Sequence, residues 1–265
     1  MIFSNSAGYS RALTSLRVSE IVANTNSLRV GVSGVYCSLI ALKVIASDFQ
    51  SLNAFHPNRI DMALKVKTLP ESVKLNVNRR HIAEHIEKLK ASNSIGSSKP
   101  IWIMGSNMKS AQLAGNLGIP FSVISEGSIN DVMNTIKCYR EAFKPSEYLS
   151  KPYIRVGVNV IAAATDQYAS YLASSWQRLV ISNRRGSGVG FKPPTVNYLD
   201  HISDEDKGLL KQFLGRTVIG SKVTVTREIR ALLKMTNADE LLVSSRIFEH
   251  DALLNSNQLI AEALN

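Results

Sequence analysis

Short apolar segments alternate with amphipathic segments along most of this 265-residue chain. The apolar segments are rich in β-branched residues, whereas the amphipathic ones repeat apolar residues every three or four positions, which is the spacing of a helix. The predicted strands cover residues 28–32, 60–64, 101–105, 121–124, 154–163 and 240–244. The predicted helices cover residues 39–55, 78–92, 110–117, 129–143, 165–184, 222–236 and 251–264.

This order of elements predicts an α/β fold in which helices cover a parallel sheet, because parallel neighbours need a crossover that is usually a helix. An open doubly wound sheet and a (β/α) barrel share the pattern, so periodicity alone leaves both open. No glycine-rich dinucleotide fingerprint follows a predicted strand, which disfavours a Rossmann site. The pattern at residues 186–215 predicts an irregular insertion. Thr165 or Asp166 is the expected N-cap of the long helix.

Composition is that of an ordinary globular protein, with 45% hydrophobic and 20% charged residues. The length suits a single domain over residues 1–265. No apolar run reaches the eighteen residues of a membrane span, and the N-terminal residues lack the apolar core of a signal peptide. The two cysteines, Cys37 and Cys138, suit a reducing compartment. We therefore expect a cytoplasmic protein without a membrane partner.

The net charge of +10 raises the question of an anionic partner. The densest basic stretch covers residues 65–90, and no aromatic residues interleave with it as they do in single-strand binding grooves. We therefore predict a solvated basic surface and no nucleic-acid partner.

One short motif has metal-ligand spacing. His81, Glu84 and His85 fit the H-x-x-E-H pattern of inverted zinc proteases. Both histidines flank the apolar stripe of a charged helix, so a solvated helix flank is the favoured interpretation and no metal site is predicted. The sequence has no spacing of nucleophile, base and acid that assigns a catalytic residue.

The connection after the strand at 101–105 has the chemistry of an anion site. Gly105 ends the strand, and Ser106, Asn107 and Ser110 carry hydrogen-bonding side chains where the next helix begins. Backbone N–H groups at a helix N-terminus favour an anion, and in a barrel this connection lies on the face where active sites gather. A phosphate site is therefore a hypothesis here, beside the alternative of an ordinary strand-to-helix turn.

The segment containing this connection, IWIMGSNMKSAQLAGNLGIPFSV at 101–123, resembles a signature of the bacterial-luciferase-like flavin-dependent monooxygenases. Blocks similar to that family follow in order at 139–169, 184–194, 220–233 and 238–252. The resemblance implies a TIM (β/α)8-type barrel that is incomplete, with strands three to eight present and the first two strands of the family lacking. It thereby favours the barrel over the open sheet.

The resemblance also implies a chemistry. Reduced FMN, supplied by a separate flavin reductase, would react with dioxygen so that one oxygen atom passes to a small organic substrate. The residues expected to bind the phosphate are Gly105, Ser106, Asn107 and Ser110, and those expected against the flavin ring are Ser33, Gly34 and Val35. A homodimer through the helices at 12–25 and 39–55 is a further expectation.

Several polar positions depart from the family pattern. Residues 2–5 read IFSN where the family has Glu-His-His-Asn, residues 39–40 replace an Asn-His pair, and residues 63–66 replace Gly-Leu-Gly-Arg. The alternative of a non-catalytic, flavin-binding or inert, luciferase-like descendant therefore stays open beside the enzyme.

Overall fold

The described part of the chain comprises most of the residues from 102 onward and shorter pieces before them. The computed structural model describes residues 2–4, 19–20, 22–24, 26, 30–36, 51–52, 54–57, 59–65, 84, 102–124, 128–147, 149–214 and 217–264. The chain divides into two compact units, one of residues 1–123 and 135–154 and the other of residues 124–134 and 155–265.

The first unit contains five parallel strands that pair in chain order. They are β1 (Ile2–Ser4), β2 (Val30–Tyr36), β3 (Ile60–Lys65), β4 (Trp102–Gly105) and β5 (Phe121–Ile124). Helix α1 (Met108–Asn116) connects β4 to β5. All four residues of β4 are buried, as expected for a strand covered on both faces. Helix α2 (Ile129–Ala142) follows and spans the boundary between the units.

The second unit is organised around one long strand. Strand β6 (Ile154–Ala163) pairs in parallel with β8 (Glu240–Ser244) along residues 155–159 and with β7 (Val218–Ser221) along residues 160–163. The helices are α3 (Asp166–Arg185), α4 (Asp204–Phe213), α5 (Lys222–Thr236) and α6 (His250–Leu264), with a 3-10 turn at Tyr198–His201.

The predicted strands and helices from residue 101 onward are confirmed to within about two residues. Thr165 is the N-cap of α3, and its side chain accepts the N–H of Tyr168 at 3.1 Å. The structure adds two strands that the hydrophobic pattern did not indicate, β1 and β7. It also corrects the irregular insertion at 186–215, since α4 lies within it and begins at the N-cap Ser203.

The end of the strand predicted at 28–32 is a second correction, because the sequence pattern places a glycine-containing turn at Ser33 and Gly34. Strand β2 continues through both residues to Tyr36. Its register with β3 shifts between Ser33 and Val35, so that Ser33 pairs with Ala63 and Val35 with Leu64. Glycine inside a strand commonly marks such a bulge, because the extra residue bends the strand.

An aromatic cluster forms part of the core of the first unit. Tyr139 is fully buried and stacks on Phe121 with ring centroids 5.5 Å apart. Its hydroxyl donates to the Ile119 carbonyl at 3.0 Å and accepts the N–H of Tyr153 at 3.2 Å. The cluster therefore joins α2 to the beginning of β5 and to the segment before β6.

Two helices end at or next to a glycine that has a left-handed backbone conformation. Gly118, one residue beyond the C-cap of α1, has φ +59°, and Gly186, the C-cap of α3, has φ +66°. Their surroundings differ. A Cβ at Gly118 would lie 2.4 Å from the Lys144 carbonyl oxygen, whereas a Cβ at Gly186 would meet nothing within 4 Å.

Several sequence predictions lie outside the described residues. These are most of the helices at 12–25, 39–55 and 78–92, His81, His85, Cys37, and most of the basic stretch at 65–90. Among the described residues, no helix is both long enough and apolar enough to cross a membrane.

The carboxylate of Asp166 makes the stability of the second unit depend on pH. It accepts the backbone N–H of Ser221 at 2.5 Å and the hydroxyl of Thr224 at 3.2 Å, at the N-terminus of α5. These bonds, led by the one from Ser221, hold the pKa of Asp166 below its usual range. A lowered folded-state pKa stabilises the fold above the unfolded-state pKa, and the contribution is lost as pH falls through the folded-state value.

We therefore expect Asp166→Asn to lower the melting temperature at neutral pH and to have a vanishing effect in strong acid. Thermal unfolding of the variant and the parent across this pH range measures the difference. A difference that stays constant with pH would contradict the assignment to the ionised carboxylate.

Candidate functional site: the β4–α1 connection

The turn between β4 and α1 is held by a side-chain N-cap. Asn107 has extended backbone angles, and its Oδ1 accepts the N–H of Ser110 at 3.0 Å. Asparagine is among the most effective N-cap residues, because it satisfies a backbone donor that the helix leaves unpaired. Asn107 therefore fixes the direction in which the first turn of α1 points.

Ser110 stabilises this turn from the inside. Its side chain is 2% exposed, and its hydroxyl lies 2.8 Å from the Asn107 carbonyl, to which it donates. A Cβ on Gly105 would lie 2.1 Å from this Oγ and 2.6 Å from the Ser110 Cβ. Glycine at 105 is required by this close approach of Ser110, and the approach leaves the Ser110 hydroxyl committed to the protein.

The solvent side of the turn has the groups that an anion needs. Ser106 and Lys109 are exposed, and the first turn of α1 has no acidic residue. The leading N–H groups of a helix have no intrahelical acceptor, and the helix dipole adds a partial positive charge there. The residues present therefore fit a phosphate, which the Ser106 hydroxyl, the Lys109 ammonium and the leading N–H groups of α1 would hold.

The other end of α1 is anchored by close packing. A Cβ at Gly115 would lie 2.9 Å from backbone atoms of Tyr139 and Ala142, so only glycine allows α1 to approach α2 this closely. The Lys144 N–H donates to the Gly115 carbonyl at 2.9 Å. A ligand at the N-terminus of α1 would therefore contact a rigidly held helix.

The residues predicted against the flavin ring lie within a strand. Ser33, Gly34 and Val35 belong to β2 rather than to a loop after it, between β1 and β3. Ser33 pairs with Ser4 of β1 and with Ala63 of β3. Their contact with a flavin stays a prediction.

No family model matches the chain. Individual relatives do match it. The protein named luciferase-like monooxygenase of Escherichia coli strain K12 is 32% identical over 275 residues, which span 96% of this chain and 82% of the relative. The uncharacterized protein YvbT of Bacillus subtilis is also 32% identical, over 97% of this chain and 83% of its own length.

This chain belongs to the luciferase-like monooxygenase family. The resemblance predicted from the segment at 101–123 is therefore confirmed, and with it an oxidoreductase class. The long alignment covers both compact units, including the β4–α1 connection.

Solved structures of luciferase-like proteins share the fold. Apo-MsnO8 superposes with a TM-score of 0.72 at 24% identity over 94% of this chain and 80% of that one. The oxygenating constituent of 3,6-diketocamphane monooxygenase of Pseudomonas putida, solved with FMN, superposes with a TM-score of 0.65 at 15% identity, over 99% of this chain and 87% of that one. A coenzyme F420-dependent tetrahydromethanopterin reductase of Methanopyrus kandleri superposes with a TM-score of 0.68 at 12% identity, over 99% of this chain and 88% of that one. These likenesses confirm the TIM-barrel-type fold class of the luciferase-like chain.

Sequence reasoning missed one feature of this luciferase-like protein. A cavity of about 370 Å³ lies between α3 and residues 196–200, and the buried Gln177 lines it. Nothing in the local pattern distinguished Gln177 from other polar residues of a long helix. Within the described residues, no group of three or more His, Cys, Asp or Glu side chains could hold a metal ion.

Proposed function

We propose that this protein is a flavin-dependent monooxygenase that uses reduced FMN and dioxygen to oxidise a small organic substrate, with the FMN phosphate bound at the N-terminus of α1. The observation that carries the proposal is the β4–α1 connection, where an N-capped helix with no acidic residue in its first turn begins beside the exposed residues Ser106 and Lys109. Family membership and the FMN complex of a structural relative support the choice of cofactor.

The chain's own residues have distinct roles in this proposal. Ser106 donates a hydrogen bond to the phosphate, while Lys109 and the N–H groups of the first turn balance its charge. Ser110 positions these groups and does not contact the ligand through its hydroxyl, which donates to the Asn107 carbonyl. Asn107 fixes the turn through its Oδ1, which accepts the Ser110 N–H, and its Nδ2 group is a further side-chain donor for the phosphate. Bound reduced flavin, supplied by a separate reductase, provides the oxygen-activating chemistry.

Flavin titration tests the site directly. FMN and riboflavin differ only in the phosphate, so the proposal requires FMN to bind more tightly. We expect Ser106→Ala to weaken FMN binding roughly tenfold, the value of one hydrogen bond to a charged group. Riboflavin binding should not change. Quenching of flavin fluorescence measures both affinities, and equal affinities for the two flavins would overturn the phosphate assignment.

Oxygen consumption separates the enzyme from a flavin-binding, non-catalytic protein. With a flavin reductase and NADH present, the proposal requires oxygen uptake that increases when a substrate of the organic class is added. Tight FMN binding without substrate-dependent uptake would support the non-catalytic alternative, which the replaced polar residues at 2–4 and 39–40 favour.

A further inference from the structure

A second cavity of the second unit lies between α3 and α4. Its volume of about 410 Å³ falls in the range of small-molecule sites, roughly 300–1,000 Å³. One wall is formed by Gln177 of α3 and Leu199 of the 3-10 turn, and the other by residues of α4 and by Thr217, which precedes β7. We call the space between Gln177, Leu199 and residues 207–214 the α3–α4 groove.

Helix α4 is fixed against α3. The Arg185 guanidinium, at the end of α3, lies 2.9 Å from a carboxylate oxygen of Asp206 and 3.2 Å from one of Glu205. The Arg184 guanidinium lies 3.8 Å from the centre of the Phe213 ring. These contacts hold both the beginning and the end of α4, so the walls of the groove do not depend on a ligand.

The leucines that line the groove make one part of it apolar. Leu210 is 4% exposed and packs against Val180 and Ile181 of α3. Leu214 also lines the groove and is half-buried, while Leu199 is 43% exposed. A ligand that covers these side chains removes apolar surface from water, which favours a ligand with a hydrocarbon body.

Among the described residues that line the groove, the charged ones are both positive. They are Lys207 and Lys211, which lie one turn apart on α4. Like charges at this spacing repel, and a bound anion would relieve the repulsion. Lys207 contacts Asp204 at 3.2 Å, an exposed pair that contributes little, and Lys211 forms no ion pair within the part of the chain that the structure describes. The Lys211 ammonium is therefore available to an anion.

Neighbouring negative groups do not cancel this charge. The three acids in the first turn of α4 lie outside the groove lining and contact Lys207 or Arg185. The C-terminus of a helix carries partial negative charge, which disfavours an anion. Here Lys211 lies in that last turn, and the Thr217 hydroxyl donates to the Leu214 carbonyl at 2.8 Å. The groove is therefore positive, as is the chain with its net charge of +10.

We propose that the α3–α4 groove binds a small organic anion with an apolar body, whose charge lies between Lys207 and Lys211 and whose hydrocarbon part covers the leucines. An exposed lysine alone selects weakly, and so does an apolar wall alone. Their combination in one groove selects a ligand that carries both features. The site is separate in sequence from the β4–α1 connection and does not depend on the proposed flavin reaction.

Calorimetric titration of the full-length protein without flavin, at low ionic strength, tests the groove. Cyclohexanecarboxylate, cyclohexylmethanol and cyclohexylmethylammonium share a shape and differ in charge, and acetate has the charge without the ring. We expect cyclohexanecarboxylate to bind at least tenfold more tightly than the other three, because each of them lacks the negative charge or the apolar body. No binding of cyclohexanecarboxylate, or equal affinity for the alcohol or for acetate, would overturn the proposal.

Lysine variants locate the charge. Lys207→Gln and Lys211→Gln remove the ammonium group and keep most of the side chain. We expect each to weaken cyclohexanecarboxylate binding about threefold to fivefold, the value of an exposed ion pair. Lys234→Gln is the matched control, because it removes an exposed charge of α5 outside the groove. An equal loss in all three variants would show that the net charge of the chain attracts the anion, and would contradict the site.

Leu199→Ser tests the apolar wall at an exposed position, where we expect little change in melting temperature. Binding of cyclohexanecarboxylate should weaken several-fold because less apolar surface is covered, whereas acetate binding should not change. Val196→Ser is the matched control, since Val196 is 66% exposed in the same segment and does not line the groove. Unchanged carboxylate affinity in Leu199→Ser would contradict the proposed contact. Riboflavin and FMN affinities, measured in parallel, report on the proposed flavin site separately.

Discussion

Asn107→Asp is expected to lower the affinity for FMN by tenfold or more without destabilising the protein. Aspartate caps a helix as well as asparagine does, so the bond from the Ser110 N–H persists. The substitution nevertheless places a negative charge at the only end of α1 where a phosphate would bind. The repulsion between two negative charges in contact is larger than the free energy that one hydrogen bond contributes.

Riboflavin provides the internal reference for this variant, since it lacks the phosphate and should bind unchanged. Asn116→Asp is the matched control, because it adds the same charge to the exposed opposite end of α1. That end is about 13 Å away at 1.5 Å per residue, beyond the screening length of roughly 8 Å at physiological salt. An equal loss of FMN affinity in both variants would contradict a phosphate site at the N-terminus.

Gly118→Ala is expected to destabilise the protein by about 3 kcal/mol, which combines a left-handed backbone with a backbone collision. The added Cβ would lie 2.4 Å from the Lys144 carbonyl oxygen and 2.6 Å from the Ser146 Cβ. Ser146 also donates a hydrogen bond to the Gly118 carbonyl at 2.8 Å, so the segments cannot separate without losing that bond. Chemical denaturation monitored by circular dichroism measures the change.

Gly186→Ala separates the two contributions. Its φ of +66° is close to that of Gly118, but a Cβ there would meet no atom within 4 Å. We therefore expect a cost of about 1 kcal/mol, from the backbone conformation alone. Equal destabilisation by the two substitutions would mean that the contacts with Lys144 and Ser146 relax freely.

The sequence predicted elements best where several local signals agree. Helix α3 combines an apolar period, the cap Thr165 and the terminal Gly186, and its bounds are confirmed to one residue. Strand β7 has four residues and continues directly into α5, so no turn marks it and too few residues show alternation. Helix α4 was not predicted because most of its residues are polar, although Ser203 and three acids in its first turn are signals of a helix start.

Site prediction had a different limit. The anion-binding chemistry of residues 105–110 follows from residue types at a strand-to-helix junction, and the structure has that junction there. Which serine faces solvent does not follow from spacing, because Ser110 turns inward against Gly105 while Ser106 is exposed. The cavity that Gln177 lines depends on the path of residues 195–200 along α3, a long-range contact that local periodicity does not encode.

Strand β6 has different partners along its length, with β8 beside residues 155–159 and β7 beside residues 160–163. The connection from α3 to β7 can therefore change in length or composition while the pairing of β6 with β8 is retained. Within that connection, Leu210 of α4 packs against Val180 and Ile181 of α3, so α4 itself is held by the core of the second unit. Differences in chain length among relatives are therefore expected to concentrate in the exposed residues before α4 rather than in α4.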